Sequence, residues 1–344
     1  MTSPAPGHSR LVEVDALRGL AALAVVLYHY TTRFMELNPG AAPPSLSFPH
    51  GYFGVNLFFI ISGFVIFMTL ERTRRGMDFV VSRFSRLFPA YWASVALTFA
   101  VTSTFGLPGF EVSPGQALGN VIMVHGFLRI PHVDGVYWTL EVELLFYAGM
   151  FALLAGGHLR RVHWALWGLL GLRLAYDLSA RGFGVDLSWT LSRLLILKYI
   201  PWFALGICIY QATLGAARAD KRELRLTAVA ALGCLAWVDH AALALLALVL
   251  AALVWAAASG HLRWLRHPLP AFFGTISYPL YLLHENIGWV VQRAVQGQGM
   301  SFDVSIVAAL LVTVPLATAV TYLVEQPAMR WIRGRYRRRV AQLV

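Results

Sequence analysis

The stretch GYFGVNLFFIISGFVI (51–66) holds no charged side chain, and it leads into an apolar segment running from residue 53 to residue 70. As a helix those residues rise about 27 Å, close to the ~30 Å hydrocarbon core of a bilayer. Working outward, similar segments fall near 16–34, 87–106, 138–157, 164–180, 191–213, 226–239, 241–258, 270–291 and 303–324. Of the 344 residues 58% are hydrophobic and only 13% charged, against the roughly 25% charge of an average soluble domain. So little charge cannot cover a globule in water. The expected fold is an all-α polytopic integral membrane protein.

Charge placement sets the expected topology. The formal net charge is +11, but Lys and Arg collect in short clusters between the apolar segments, as in cytoplasmic loops. The clusters are Arg72, Arg74, Arg75, Arg83 and Arg86; Arg160 and Arg161; Arg218, Lys221, Arg222 and Arg225; Arg263 and Arg266; and Arg330 to Arg339. This distribution points to a topology signal and anionic headgroups of a lipid bilayer, and away from nucleic acid. Placing each cluster inside gives about ten crossings, with cytoplasmic tails at about 1–14 and 328–344. The stretch near 116–130, with His125 and Gly126, breaks that alternation and is expected to be a re-entrant or broken helix lining a cavity. The Pro- and Gly-rich segments near 38–50 and 107–115 are expected to be irregular. No signal peptide, internal repeat or appended soluble domain is visible, so residues 1–344 read as one membrane domain. Cys208 and Cys234 lie inside apolar segments and suggest neither a disulfide framework nor a metal site.

Ionisable groups inside apolar helices cost several kcal/mol and therefore mark function. In VDALRGLAALAVVLYHY (14–30), Asp15 is a plausible N-cap. Arg18 and His29 are eleven residues apart, so they point within about 20° of each other, roughly 16 Å apart along the axis. That suits a phosphate-bearing donor entering from the cytoplasm with its reactive end at a histidine base. The spacing fits equally well a histidine bonded to a neighbouring helix and an arginine anchoring topology. In GVYWTLEVELLFY (135–147), Glu141 and Glu143 diverge by about 160° on a helix. One should face the cavity while the other caps or pairs near the interface; Glu143 and Tyr147 share a face. In RFSRLFPAYW (83–92), Arg83 and Arg86 sit three apart, where two guanidiniums can clamp a pyrophosphate or simply anchor the helix. In GTISYPLYLLHENIGW (274–289), Ser277, Tyr281 and His284 form one polar stripe, Pro279 should kink the helix, and His284 with Glu285 reads as a helix-end polar site. Hydrogen bonding between helices explains the Ser and Tyr equally well. No histidine pair has helical zinc-ligand spacing.

Taken in order, these residues resemble the membrane acyltransferase 3 family from about residue 10 to about residue 330. The anchors are Asp15, Arg18-Gly19 and His29; the glycine-rich stretch 51–66; Arg83, Arg86, Pro89 and Trp92; Trp138, Leu140, Glu143, Phe146 and Tyr147; Ser277, Tyr278, Tyr281, Leu282 and His284; and Glu325 with Pro327. Ala16 stands where glycine is common, and Glu141 where serine is common, which leaves open what that second carboxylate does. The resemblance implies a bacterial inner-membrane O-acyltransferase acting on lipopolysaccharide O-antigens, exopolysaccharides, other glycans or glycosylated metabolites. Acyl-CoA, by default acetyl-CoA, is then the co-substrate, with no permanently bound cofactor. The resemblance also implies His29 as the base aligned by Arg18, Glu143 as a required acid, and Arg83 and Arg86 in donor binding. Asp15, Trp138, Glu141, Ser277, Tyr281 and His284 are the supporting polar candidates, with Tyr281 or Ser277 stabilising the oxyanion. Neither a thiol nor a serine has an adjacent base, which favours direct attack over an acyl-enzyme. The rival class is a secondary transporter of a small polar or acidic solute, which would also carry midplane His, Arg and Glu but typically shows paired repeats.

Overall fold

The computed structural model describes residues 11–40, 43–73, 75–185, 188–215 and 220–342. Arg74 and Arg218 of the basic clusters, and the ends of both expected tails, lie outside them. The described residues form helices and no strand. In chain order these are α1 Val12–Tyr28, α2 Phe34–Leu37, α3 Gly54–Glu71, α4 Gly76–Phe105, α5 Pro114–Gly119, α6 Trp138–Ala155, α7 Val162–Phe183 and α8 Trp189–Leu194. They continue with α9 Ile200–Thr213, α10 Lys221–Cys234, α11 Ala241–Ala258, α12 Pro268–Leu283, α13 Glu285–Gly297, α14 Phe302–Val320 and α15 Gln326–Gln342. Among the described residues, four helical runs are long and apolar enough to cross a membrane: Gly51–Glu71, Gly135–Ala155, Ala241–Ala258 and Phe302–Gln342.

Several boundaries differ from the sequence expectation, each for a local reason. The helix around 16–34 does not run straight: His29–Arg33 form a π-turn between α1 and α2. Asp15 does not cap α1. Leu11 occupies that position and Asp15 lies in the first turn, where a carboxylate still meets the positive end of the helix dipole. The segment 191–213 divides into α8 and α9 across a turn in which Ile196 takes φ +48°, a region that a β-branched residue rarely adopts. The segment 270–291 also divides, but at His284 rather than at Pro279, which stays inside α12. Residues 116–130 form the end of α5 and two short 3-10 turns, Asn120–Ile122 and His125–Leu128; the stretch is broken, as its composition suggested. The expected tail from 328 onward is helical through Gln342. It docks on α4 through Arg333 Nε to Ser85 Oγ at 2.9 Å and Tyr336 to Asp78 at 2.8 Å.

Small residues set which helices touch. In an apolar solvent helices gain little from burying one another's apolar faces, so close backbone approach and polar contacts select neighbours. A Cβ on Gly19 would strike the backbone of Gly274, and one on Gly274 the backbone of Asp15, so α1 and α12 cross there in contact. Gly54 meets α1 at Ala21 O in the same way. Gly63 and Gly206 seat α3 against α9, at Phe203 O and Ile60 O. The result is a row α12–α1–α3–α9. Two cavities open between this row and helices α4, α6 and α13.

Candidate active site

His29 closes α1 and opens the π-turn, an irregularity frequent at functional sites. Its Nδ1 lies 2.9 Å from Val25 O and 3.1 Å from His284 Nε2. A carbonyl oxygen only accepts, so Nδ1 carries the proton and Nε2 keeps its lone pair. The same argument applies to His284, whose Nδ1 lies 2.8 Å from Tyr281 O. Its Nε2 is therefore an acceptor aimed at His29. The His29 carbonyl accepts from Trp289 Nε1 at 3.0 Å, and Tyr30 reaches across to His284 O at 2.8 Å. The α12–α13 junction thus holds His29 at its ring Nδ1 and at its carbonyl and turns Nε2 outward. On that side Glu285 Oε1 stands 3.6 Å from Nε2.

His29 lines a cavity of about 810 Å³ together with Tyr28, Tyr52, Trp138, Tyr199 and Trp289, within the ~300–1,000 Å³ of small-molecule sites. The aromatic faces and a rim holding Arg33, Lys198 and His240 make it suited to a polyhydroxylated ring. Trp138 contributes ring surface, edge-on to Phe59 and tilted against Tyr199.

A second cavity, of about 100 Å³, is lined by Arg18, Arg83, Arg86, Ser62, Glu143 and Tyr147. Val55, Phe59 and Tyr281 line both cavities, so these three residues form the partition between them. Arg18 reaches Ser277 Oγ at 3.0 Å, Gly274 O at 3.3 Å and Asp15 at 3.5 Å. Both Arg18 and His29 therefore face α12, one in each cavity. Ser277 gives its own proton to Gly274 O at 2.9 Å. It holds Arg18 and has no proton left for an oxyanion, which corrects one of its two expected roles. Tyr281 Oη lies at the partition, accepting from Thr139 Oγ1 at 3.0 Å, and its own proton makes only a long 3.4 Å contact to Val136 O.

Glu143 and Glu141 diverge as two residues on one helix must. Glu143 faces the arginine cavity and accepts from Ser62 at 2.8 Å and Tyr147 at 2.5 Å. Glu141 is buried on the other side and paired with Arg193 of α8, at 2.8 Å to Nε and 2.6 Å to the terminal nitrogen. Arg193 also lies over the Phe127 and Trp189 rings and reaches toward Gly126 O. Glu141 therefore ties the irregular 125–130 segment to α6. Arg86 is ion-paired to the fully buried Glu325 and lies over the Tyr278 ring. Arg83 has no ion pair among the described residues; it packs against Phe79 and Tyr147, and its Nε is buried without a partner.

Sequence reading missed Asp134, Arg193, Asn286 and Trp289. Asp134 is fully buried and accepts from the backbone N–H of Val136 at 3.3 Å and of Asn286 at 3.2 Å. A carboxylate preceding the glycine of GVYWTL is a visible signal, but its helix partner lies 152 residues away.

An acyltransferase domain family model, acyltransferase 3, matches residues 11–325. The chain is 27% identical over 319 residues to the exopolysaccharide production protein ExoZ of Rhizobium meliloti (strain 1021), covering 86% of this chain and 94% of that protein. It is 30% identical over 112 residues to nodulation protein 10 of Rhizobium leguminosarum bv. viciae, covering 27% of this chain and 30% of that protein. To the peptidoglycan O-acetyltransferase OatA of Listeria monocytogenes it is 24% identical over 152 residues, 39% of this chain and 22% of that protein. No solved structure matches it. A match over nearly the whole chain, together with the helical bundle and its polar cavities, makes this protein a member of the acyltransferase 3 family and an acyltransferase.

Proposed function

We propose that the protein is a bacterial inner-membrane O-acyltransferase that moves an acyl group, by default acetyl, from acyl-CoA to a hydroxyl of a glycan, glycolipid or glycosylated metabolite. The observation that carries this reading is the pair of cavities meeting at Val55, Phe59 and Tyr281, with guanidiniums on one side and His29 Nε2 on the other. Ten crossings, with both termini in the cytoplasm, would put the arginine cavity on the cytoplasmic side, where acyl-CoA is found. The large aromatic cavity then takes the acceptor sugar from the opposite side. That arrangement favours a two-substrate transferase over a transporter, since the partition separates an arginine-rich pocket from a large aromatic one.

In this mechanism the pantetheine arm lies along the arginine cavity and presents the thioester at Tyr281. His29 Nε2 takes the acceptor hydroxyl proton while the oxygen attacks the thioester carbonyl. The C–S bond breaks and the CoA thiolate recovers that proton from the imidazolium. Tyr281 stabilises the oxyanion. Arg18 and Arg83 hold donor phosphates, Arg83 the more strongly because Arg86 is already engaged by Glu325. Glu143 orders the cavity wall through Ser62 and Tyr147.

The test is release of CoA from radiolabelled acetyl-CoA by the protein in nanodiscs, wild type beside His29→Ala. A hundredfold loss or more in the variant, about 3 kcal/mol of barrier, with unchanged thermal stability and acetyl-CoA affinity, is the expected result. Equal rates remove His29 from the chemistry. A folded wild type that neither binds nor turns over any acyl-CoA restores the transporter reading.

A further inference from the structure

Glu285, beside His29, has a second carboxyl group, Asp134, behind it. Glu285, 6% exposed, sets one oxygen 3.6 Å from His29 Nε2. Its other oxygen, Oε2, is buried with no donor within reach. The Asp134 side chain, wholly buried, lies at hydrogen-bonding distance from that carboxyl. The contact is enforced by the chain: Gly135 leaves no room, and a Cβ there would press on both Glu285 oxygens. Two ionised carboxylates cannot hydrogen-bond, because both only accept, and like charges in a dry site do not both ionise.

We infer that Asp134 and Glu285 share a single proton, carried by Glu285, and that the negative charge on Asp134 is the counter-ion for protonated His29. Two features place the charge on Asp134. Its oxygens already take two backbone N–H donors, from Val136 and Asn286, and the Asn286 N–H belongs to the first turn of α13, whose dipole favours an anion. Glu285 is less well supplied, its Oε2 being buried with no donor, and so it keeps the proton, donating it to Asp134. The residue next to the base is then a neutral acid, and the carboxylate lies one hydrogen bond further off. Both are positioning residues.

The inference rests on His29 being the base. When His29 takes the acceptor proton, an imidazolium forms in a nearly dry site, and a nearby negative charge lowers that cost. The pair keeps its one proton throughout the cycle, and the hydroxyl proton passes from His29 to the leaving thiolate. The other ionisable groups facing His29 are His284, Tyr28 and Tyr281, with Arg33 and Glu36 engaged with each other at 2.8 Å. None of these supplies an unpaired anion.

The test compares Glu285→Gln with Asp134→Asn. A glutamine amide still donates to Asp134 and leaves the net charge as it was, so Glu285→Gln should lower kcat several-fold less than Asp134→Asn does. Asp134→Asn removes the charge and should lower kcat by about tenfold or more with unchanged acyl-CoA KM. Without the anion the imidazolium is disfavoured, so the acid limb of the kcat/KM profile should move to lower pH in Asp134→Asn and stay in place in Glu285→Gln. A fall in Glu285→Gln equal to that in Asp134→Asn, or a wild-type Asp134→Asn, overturns the inference. Infrared difference spectroscopy covers the case in which Asp134→Asn does not fold. Wild type minus Glu285→Gln must show the carbonyl stretch of a buried protonated carboxylic acid. Its absence overturns the inference, whatever the activity of His29→Ala, so failure of the base assignment is read separately.

Discussion

Glu141→Ala and Glu143→Ala should fail in opposite ways, although the two carboxylates are two residues apart. The Glu141 side chain is 3% exposed and receives a charge-assisted hydrogen bond from Arg193 Nε beside a 2.6 Å ion-pair contact from its terminal nitrogen, Arg193 being 27% exposed. Removing one partner of a buried pair costs about 3–5 kcal/mol. Water reaches Arg193 and its two aromatic neighbours remain, which brings the expected loss to about 2–3 kcal/mol. Glu143 accepts from two neutral hydroxyls and faces a cavity, so its removal should change stability by about 1 kcal/mol. The assay is thermal unfolding in detergent beside CoA release per folded molecule. Glu141→Ala should unfold at markedly lower temperature, with turnover per folded molecule near wild type. Glu143→Ala should melt near wild type and lose turnover. The double variant Glu141→Ala/Arg193→Ala should be more stable than the sum of its singles predicts, with a coupling of roughly 1–3 kcal/mol. A Glu141→Ala protein that melts like wild type yet is inactive would refute the structural assignment.

Other positions give equally definite expectations. Gly206→Ala pushes a methyl into the Ile60 carbonyl, backbone that cannot rotate away, and overpacking of about 1–3 kcal/mol should outweigh a helix-propensity gain of about 1. Gly149→Ala meets nothing within 4 Å and should be neutral or slightly stabilising, so melting curves that rank the two in reverse contradict the α3–α9 crossing. Arg83→Ala should raise the acetyl-CoA KM several-fold with little change in kcat, and more so at low salt, as loss of uniform binding requires. Glu325→Gln removes the buried counter-ion of Arg86, which is itself 22% exposed; a loss of about 2–3 kcal/mol in unfolding measurements is expected, and an unchanged protein would show that the pair contributes nothing.

Much of the site was legible along single helices. The 3.6-residue period alone puts Arg18 and His29 on one face and sends Glu141 away from Glu143, and both arrangements hold because each lies within one unbroken helical stretch. Where the helix is interrupted, at the π-turn that starts with His29, at Ile196 and at His284, no residue type announced the change, because backbone irregularities there are held by tertiary contacts. The order of the polar anchors likewise sufficed to identify the acyltransferase family, whose match covers residues 11–325. What the chain could not show by itself is which helix each polar face meets. His29 finds His284, Arg86 finds Glu325, Glu141 finds Arg193, and Asp134 finds the start of α13. Apolar faces are interchangeable in lipid, so hydropathy does not encode neighbours. Close glycine crossings and polar partners far apart in sequence do, and only the assembled bundle reveals them.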